Sequence, residues 1–100
     1  MPAVIKARIV EYDEVNIWKY IANDNEDAAS NTLRLLDATY KKLSKSPKIG
    51  KQSNDLYKGL RSMPIGPGRN NYVIFYLPMR NGVKIVVVME GHRNIAPDMF

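Results

Sequence analysis

One hundred residues, 45% hydrophobic and 25% charged, set the scale of a single folded domain spanning 1–100, with room for one core. The absence of cysteine and the single histidine exclude a disulfide framework, a thiolate metal centre, a cysteine nucleophile and a histidine-built metal site, so no metal or cofactor is expected. No apolar run approaches the roughly 20 residues of a membrane span and the N-terminus lacks a secretory signal, so a cytoplasmic protein without membrane contact is expected.

The net charge of +5 is unevenly placed. Residues 1–45 carry seven Lys/Arg and seven Asp/Glu, whereas residues 46–100 carry eight and three. The whole excess lies in the C-terminal half, as in a chain whose second half meets nucleic acid or an acidic protein. The plainer alternative is a cationic surface that only keeps the domain soluble.

In chain order, Pro2 to Arg8 reads as a short strand. From there to about Asn23, Val10, Ile17, Trp18 and Ile21 fall at helical spacing. Asn23-Asp24-Asn25 interrupts that pattern and supplies capping oxygens for a second helix. In this helix Ala29, Leu33, Leu36, Tyr40 and Leu43 form one apolar stripe, Glu26 and Asp27 stand in the first turn, and Lys41, Lys42 and Lys45 gather at the end. Pro47 stops it, and the short linker predicts an antiparallel helical hairpin. A polar loop through Gly50 and Asn54 precedes a weak strand candidate, Leu56 to Met63, which Gly59 interrupts; Pro64 and Gly66-Pro67-Gly68 read as a loop. Tyr72–Leu77 and Val83–Met89 are β-prone runs joined by Arg80-Asn81-Gly82, a strong hairpin signal. Runs apolar at every position call for burial on both faces, or for a partner on one of them. The expected fold is α+β: an N-terminal strand and a helical hairpin packed on a small antiparallel sheet.

Few residues offer chemistry. His92, in Gly91-His92-Arg93, has the pKa range of a general acid but no second titrating group at fixed spacing. Lys58, Arg61, Arg69 and Arg93 form a basic set suited to phosphate or carboxylate, unless they simply face solvent. Gly66-Pro67-Gly68 lacks the Gly-Lys-Ser/Thr ending of a phosphate loop, and Asp55, Glu90 and Asp98 are too scattered for a two-metal nuclease. The residues alone lead to a basic α+β domain that binds.

The order of elements resembles the ParE toxins of type II toxin–antitoxin systems, within the RelE/ParE superfamily, over nearly the whole chain. Ser46–Gly50 (SPKIG) is similar to the family's NPxIG loop, Tyr57–Arg61 (YKGLR) to its xxGYR/LR strand, and Tyr72–Tyr76 (YVIFY) to hxVIFYxx. Val83–Met89 is similar to IxVxRVLH, the segment from Gly91 to Phe100 to the HxxxD tail, and Asp13, Ile17 and Trp18 to DLxxIWxY. The chain departs from the pattern at Met89-Glu90, where the family has Leu-His, and at Asn94, where Asp commonly follows the arginine. RelE-type relatives cut messenger RNA in the ribosome with clustered basic groups and a C-terminal tyrosine or histidine. Here Val73 stands where they carry a second arginine, and Met99 near their tyrosine.

The resemblance therefore implies a non-enzymatic toxin that inhibits DNA gyrase by binding and is neutralised by a ParD-like antitoxin. Lys58, Arg61, Arg69 and Arg93 would face the target. Trp18, Leu33 and Tyr40, if exposed, would anchor the antitoxin, with Lys41, Lys42 and Lys45 offering it charges. Sequence-specific DNA binding is expected only through the antitoxin. The alternative is a ribosome-dependent endoribonuclease working through Lys58, Arg61, His92 and Arg93; a third reading is an inactive member that acts with its antitoxin in operator binding.

Overall fold

The computed structural model describes residues 2–66 and 72–90. The chain runs β1 (Ala3–Lys6), α1 (Arg8–Ala22), α2 (Glu26–Lys45), β2 (Lys51–Gln52), β3 (Arg61–Ile65), β4 (Tyr72–Met79) and β5 (Gly82–Glu90). The five strands form one sheet in the order β1-β5-β4-β3-β2. The α+β architecture, with a strand ahead of a helical hairpin, is the one expected from the sequence. The sheet is mixed, because β1 pairs in parallel with β5 while the other neighbours are antiparallel. A parallel pair needs a long crossover, and both helices and three strands supply it.

The helical hairpin forms where its signals stand. Asn25 caps α2, its Oδ1 accepting from the Ala28 N–H at 3.0 Å. The stripe of α2 buries Ala29, Leu36, Tyr40 and Leu43, and α1 adds Val10, Ile17 and Ile21. These pack on Tyr72, Ile74 and Tyr76 of β4 and on Val83, Ile85 and Val88 of β5. Burial of each of the valine, leucine and isoleucine side chains among them contributes about 1.5–3 kcal/mol.

Both faces of the central strands are used, which explains their unbroken apolar runs. Phase reversal in β5 comes from a bulge: Phe75 pairs with Val87 but Tyr76 with Ile85. The extra residue sends Val83, Ile85 and Val88 to the helices and Val86, Val87 and Met89 to the far face. There Leu60, Phe75 and Met89 are buried in a second cluster, with Leu56 against it.

Two strand boundaries differ from expectation. Leu56 to Gly59 form a turn, closed by the Gly59 N–H donating to Asn54 Oδ1 at 2.9 Å, and the strand begins only at Arg61. It continues through Pro64, where the sequence predicts a loop. Proline is tolerated there because β2 covers only Arg61 and Ser62, leaving β3 as an edge at Pro64. The pair Lys51–Gln52 is too short for any periodicity to betray it. The segment from Pro67 to Asn71 and the residues after Glu90 lie outside the described residues.

Candidate functional site

Three side-chain arrangements organise the surface. The first joins β1 to both helices. The Tyr40 hydroxyl donates to Glu14 Oε2 at 2.8 Å, and Lys6 Nζ lies 3.2 Å from Glu14 Oε1 and 3.8 Å from Asp37. The same ammonium stands 5.2 Å from the centre of the Tyr40 ring. Burial, and then the hydrogen bond to the Glu14 carboxylate, push the Tyr40 phenol well above the ordinary range. A phenol held protonated in the folded state stabilises fully below pH 10, and that stabilisation is lost as pH rises further. Tyr40→Phe is therefore expected to cost about 1–3 kcal/mol at pH 8, through the lost bond to a charged acceptor. Above pH 10 the wild type should lose up to about 1.4 kcal/mol per pH unit more than the variant. Urea midpoints at pH 8 and 11 check this; a constant gap would contradict it.

The second arrangement pins the loop between α2 and β2. The Tyr76 hydroxyl donates to the Pro47 carbonyl at 2.7 Å and accepts from the Gly50 N–H at 2.8 Å. Arg61 Nη1 donates to the Lys48 carbonyl at 2.9 Å and the Gly50 carbonyl at 2.7 Å. Burial raises the Tyr76 phenol, partly offset by the Gly50 N–H and the Arg61 charge. Gly50, Arg61 and Tyr76 come from three separate strings of the family pattern, and all three converge on this loop.

The third lies where α1 crosses the end of β5. Beyond Ile85 no β1 residue covers β5, and Asp13 Oδ2 accepts from the Val88 N–H at 3.1 Å in place of a strand. Asp13, Ile17, Tyr20, Tyr72 and Glu90 line a groove of about 280 Å³ beside it. Burial raises the Tyr72 phenol, with Glu90 and Tyr20 adding to it.

The residues singled out in the sequence are dispersed. Tyr40 is only 2% exposed, so it belongs to the core and offers a partner no surface. The stripe that made it conspicuous is the buried face of α2. Trp18 and Leu33 are half-buried at the margin of the same core, and Trp18 Nε1 points to Ser30 Oγ at 3.5 Å. Lys41, Lys42 and Lys45 are exposed on the last turns of α2, and Lys58 is exposed in the turn before β3. Arg61 is half-buried, and its guanidinium is directed at loop carbonyls. Arg69, His92 and Arg93 lie outside the described residues.

Periodicity missed a set of exposed apolar side chains on α1. Ile9, Tyr12, Val15 and Tyr20 are 51%, 62%, 51% and 69% exposed, although Val10, Ile17 and Ile21 of the same helix are buried. Their signal was present in the sequence: a helix with apolar residues around most of its circumference has more than one surface to cover.

No helix among the described residues is long and apolar enough to cross a membrane. The family model for the ParE toxin of type II toxin–antitoxin systems (parDE) matches residues 10–96. Toxin ParE3 of Caulobacter vibrioides is 26% identical over 100 residues, covering 99% of this chain and 96% of that protein. The matched span takes in α1 from Val10 onward, all of α2 and all four strands that follow, so the chain belongs to the ParE toxin family of type II toxin–antitoxin systems.

Proposed function

We propose that this chain arrests growth by binding DNA gyrase, without turning over a substrate, and that a ParD-like antitoxin neutralises it. The family match over residues 10–96 carries this reading. The exposed apolar residues of α1 support it, since Ile9, Tyr12 and Tyr20 are widely exposed on one helix and suit the apolar side of a partner segment that folds as it binds. An acidic antitoxin segment would also meet Lys41, Lys42 and Lys45, with Trp18 and Leu33 as partial anchors. Lys58, Arg69 and Arg93 would face the target, with Arg61 acting through the loop it holds.

Purified protein is expected to inhibit gyrase supercoiling at stoichiometric excess, and expression without the antitoxin to stop growth. Charge reversal at Lys58 should weaken inhibition without unfolding the domain. Full supercoiling in the presence of excess toxin would overturn the gyrase reading. Discrete cuts in translated messages, abolished by Arg93→Ala, would install the endoribonuclease instead. Normal growth on expression alone would point to a member acting only with its antitoxin.

A further inference from the structure

The turn between β4 and β5 is held to a glycine by a strand that lies far away in the sequence. Gly82 pairs with Met79 across the hairpin and with Ala3 of β1 on its other side. A side chain at Gly82 would run into the backbone of Ala3, so the close approach of β1 requires glycine. The residue before it is Asn81, which alone among the asparagines of the chain precedes a glycine. The room that β1 needs therefore leaves the Gly82 nitrogen without a side chain to shield it from the Asn81 amide.

Asn81 is placed for that encounter. It is exposed, and its side chain makes no hydrogen bond among the described residues. With Ser44, Pro47 and Arg80 it lines a groove of about 410 Å³, wide enough to admit water. Other asparagine side chains are tied down: Asn25 caps α2, Asn31 accepts from Arg34 at 2.7 Å and Asn54 from the Gly59 N–H. The turn is also poorly matched to its strands. Two-residue hairpins favour primed turns, which need a positive φ at the first central residue, yet neither Arg80 nor Asn81 has one. The strand that braces this turn, β1, is a four-residue edge strand. Such a segment opens more readily than the ladder behind it.

We propose that Asn81 is a site of spontaneous deamidation, and that the isoaspartate formed there detaches β1 from the sheet. The Gly82 nitrogen gives its proton to hydroxide and bonds to Asn81 Cγ. The Cγ–Nδ2 bond then breaks, and ammonia leaves with a proton from water, giving a five-membered succinimide. Water adds to one of the two carbonyls and the carbon–nitrogen bond there breaks. Opening at Cγ leaves an aspartate with the backbone intact. Opening at the main-chain carbonyl leaves isoaspartate, in which the chain runs through Cβ and Cγ and is one carbon longer. The carbonyl that accepts from the Ala3 N–H at 2.6 Å becomes a free carboxylate off the main chain, and the register of Gly82 with Ala3 is lost. Lys6 leaves with β1, and so do its contacts with Glu14 and Asp37 on the two helices. The change runs one way, so the folded chain ages. It belongs to the chain alone and holds whichever target the toxin meets.

The experiment incubates the purified full chain at pH 7 and pH 9 and follows it by peptide-mapping mass spectrometry, with isoaspartate counted by enzymatic carboxyl methylation. The peptide holding Asn81 is expected to gain one mass unit at least tenfold faster than those holding Asn25, Asn31 or Asn54, and faster at pH 9 than at pH 7. Ion exchange then separates the aged chain by its added negative charge. In its isoaspartate form, hydrogen exchange should show the amides of Ala3 to Ala7 at least tenfold less protected, with β4 unchanged. Asn81→Gln should stay unmodified over the same period and keep β1 protected. Freshly prepared Asn81→Asp, which adds the charge but no backbone carbon, should keep β1 protected as well. Three results would overturn the proposal: Asn81 deamidating no faster than the other asparagines, an isoaspartate form with β1 as protected as in the fresh chain, or equal loss of protection in Asn81→Asp.

Discussion

Gly82→Ala is expected to cost more than about 3 kcal/mol and to release β1 from the sheet. Gly82 opens β5 with φ +140°, a conformation that side chains rarely adopt, and it pairs directly with Ala3. A Cβ at this position would fall on the Ala3 carbonyl oxygen and lie 2.5 Å from its nitrogen. These are backbone atoms of a neighbouring strand, so no rotamer change relieves the contact. Backbone strain of about 1–3 kcal/mol adds to it. The domain's cheapest response is to let β1 go, and with it the Ala3 N–H bond to the Asn81 carbonyl and the Lys6 contacts with Glu14 and Asp37. For a domain of this size such a loss lowers the melting temperature by more than about 10 °C. Hydrogen exchange should show the amides of Ala3 to Ala7 losing protection ahead of β4. Gly59→Ala is the control: its φ is +84°, but the nearest atom to the added Cβ is Leu77 Cδ2 at 3.8 Å. Only the left-handed backbone cost of about 1–2 kcal/mol applies there. Equal melting temperatures for the two variants would refute the argument from space.

The sequence made the long, strongly patterned elements legible and left the short and the relational ones obscure. The second helix could be read because its stripe, its acidic start and its basic end agree, and the β4–β5 hairpin because Asn81-Gly82 separates two unbroken apolar runs. The parallel pairing of β1 could not be read, since register with a strand some 80 residues away leaves no local trace. Nor could the bulge that reverses the phase of β5, because every residue around it is apolar. Tyr40 shows the limit most plainly: an aromatic residue in a helical stripe has the same spelling whether the stripe meets a partner or the sheet. Arg61 shows another limit, as its acceptors are backbone carbonyls that carry no side-chain signature. The resemblance supplied which strings belong together, and the structure supplies why three of them do.

That reason has a functional consequence. A loop fixed by Tyr76 from below and Arg61 from the side keeps Lys48 and Ile49 presented at the surface, while Gly50 is buried beneath them. The core therefore reaches this surface loop through a few hydrogen bonds. Substitutions that never touch a partner can still disturb what a partner meets.

Gly50→Ala is the strongest case, and it is expected to cost about 3 kcal/mol or more. Gly50 has no positive φ; it is glycine for room alone. An added Cβ would collide with the Tyr76 hydroxyl, lie 2.7 Å from Tyr76 Cε1 and 2.8 Å from the Ser62 carbonyl oxygen. Overpacking of this kind costs about 1–3 kcal/mol, and displacing the hydroxyl leaves buried polar groups without partners at about 1–3 kcal/mol more. Tyr76→Phe alone removes the bonds to the Pro47 carbonyl and the Gly50 N–H, at about 1–3 kcal/mol, without new crowding. The double variant should cost less than the sum of the singles by about 1 kcal/mol or more, because the phenylalanine no longer presents the oxygen that the methyl group meets. Rescue stays partial, since the ring carbon and the Ser62 carbonyl remain in place. Urea denaturation of the four proteins measures this cycle, and strict additivity would show that Gly50 and Tyr76 do not share one space.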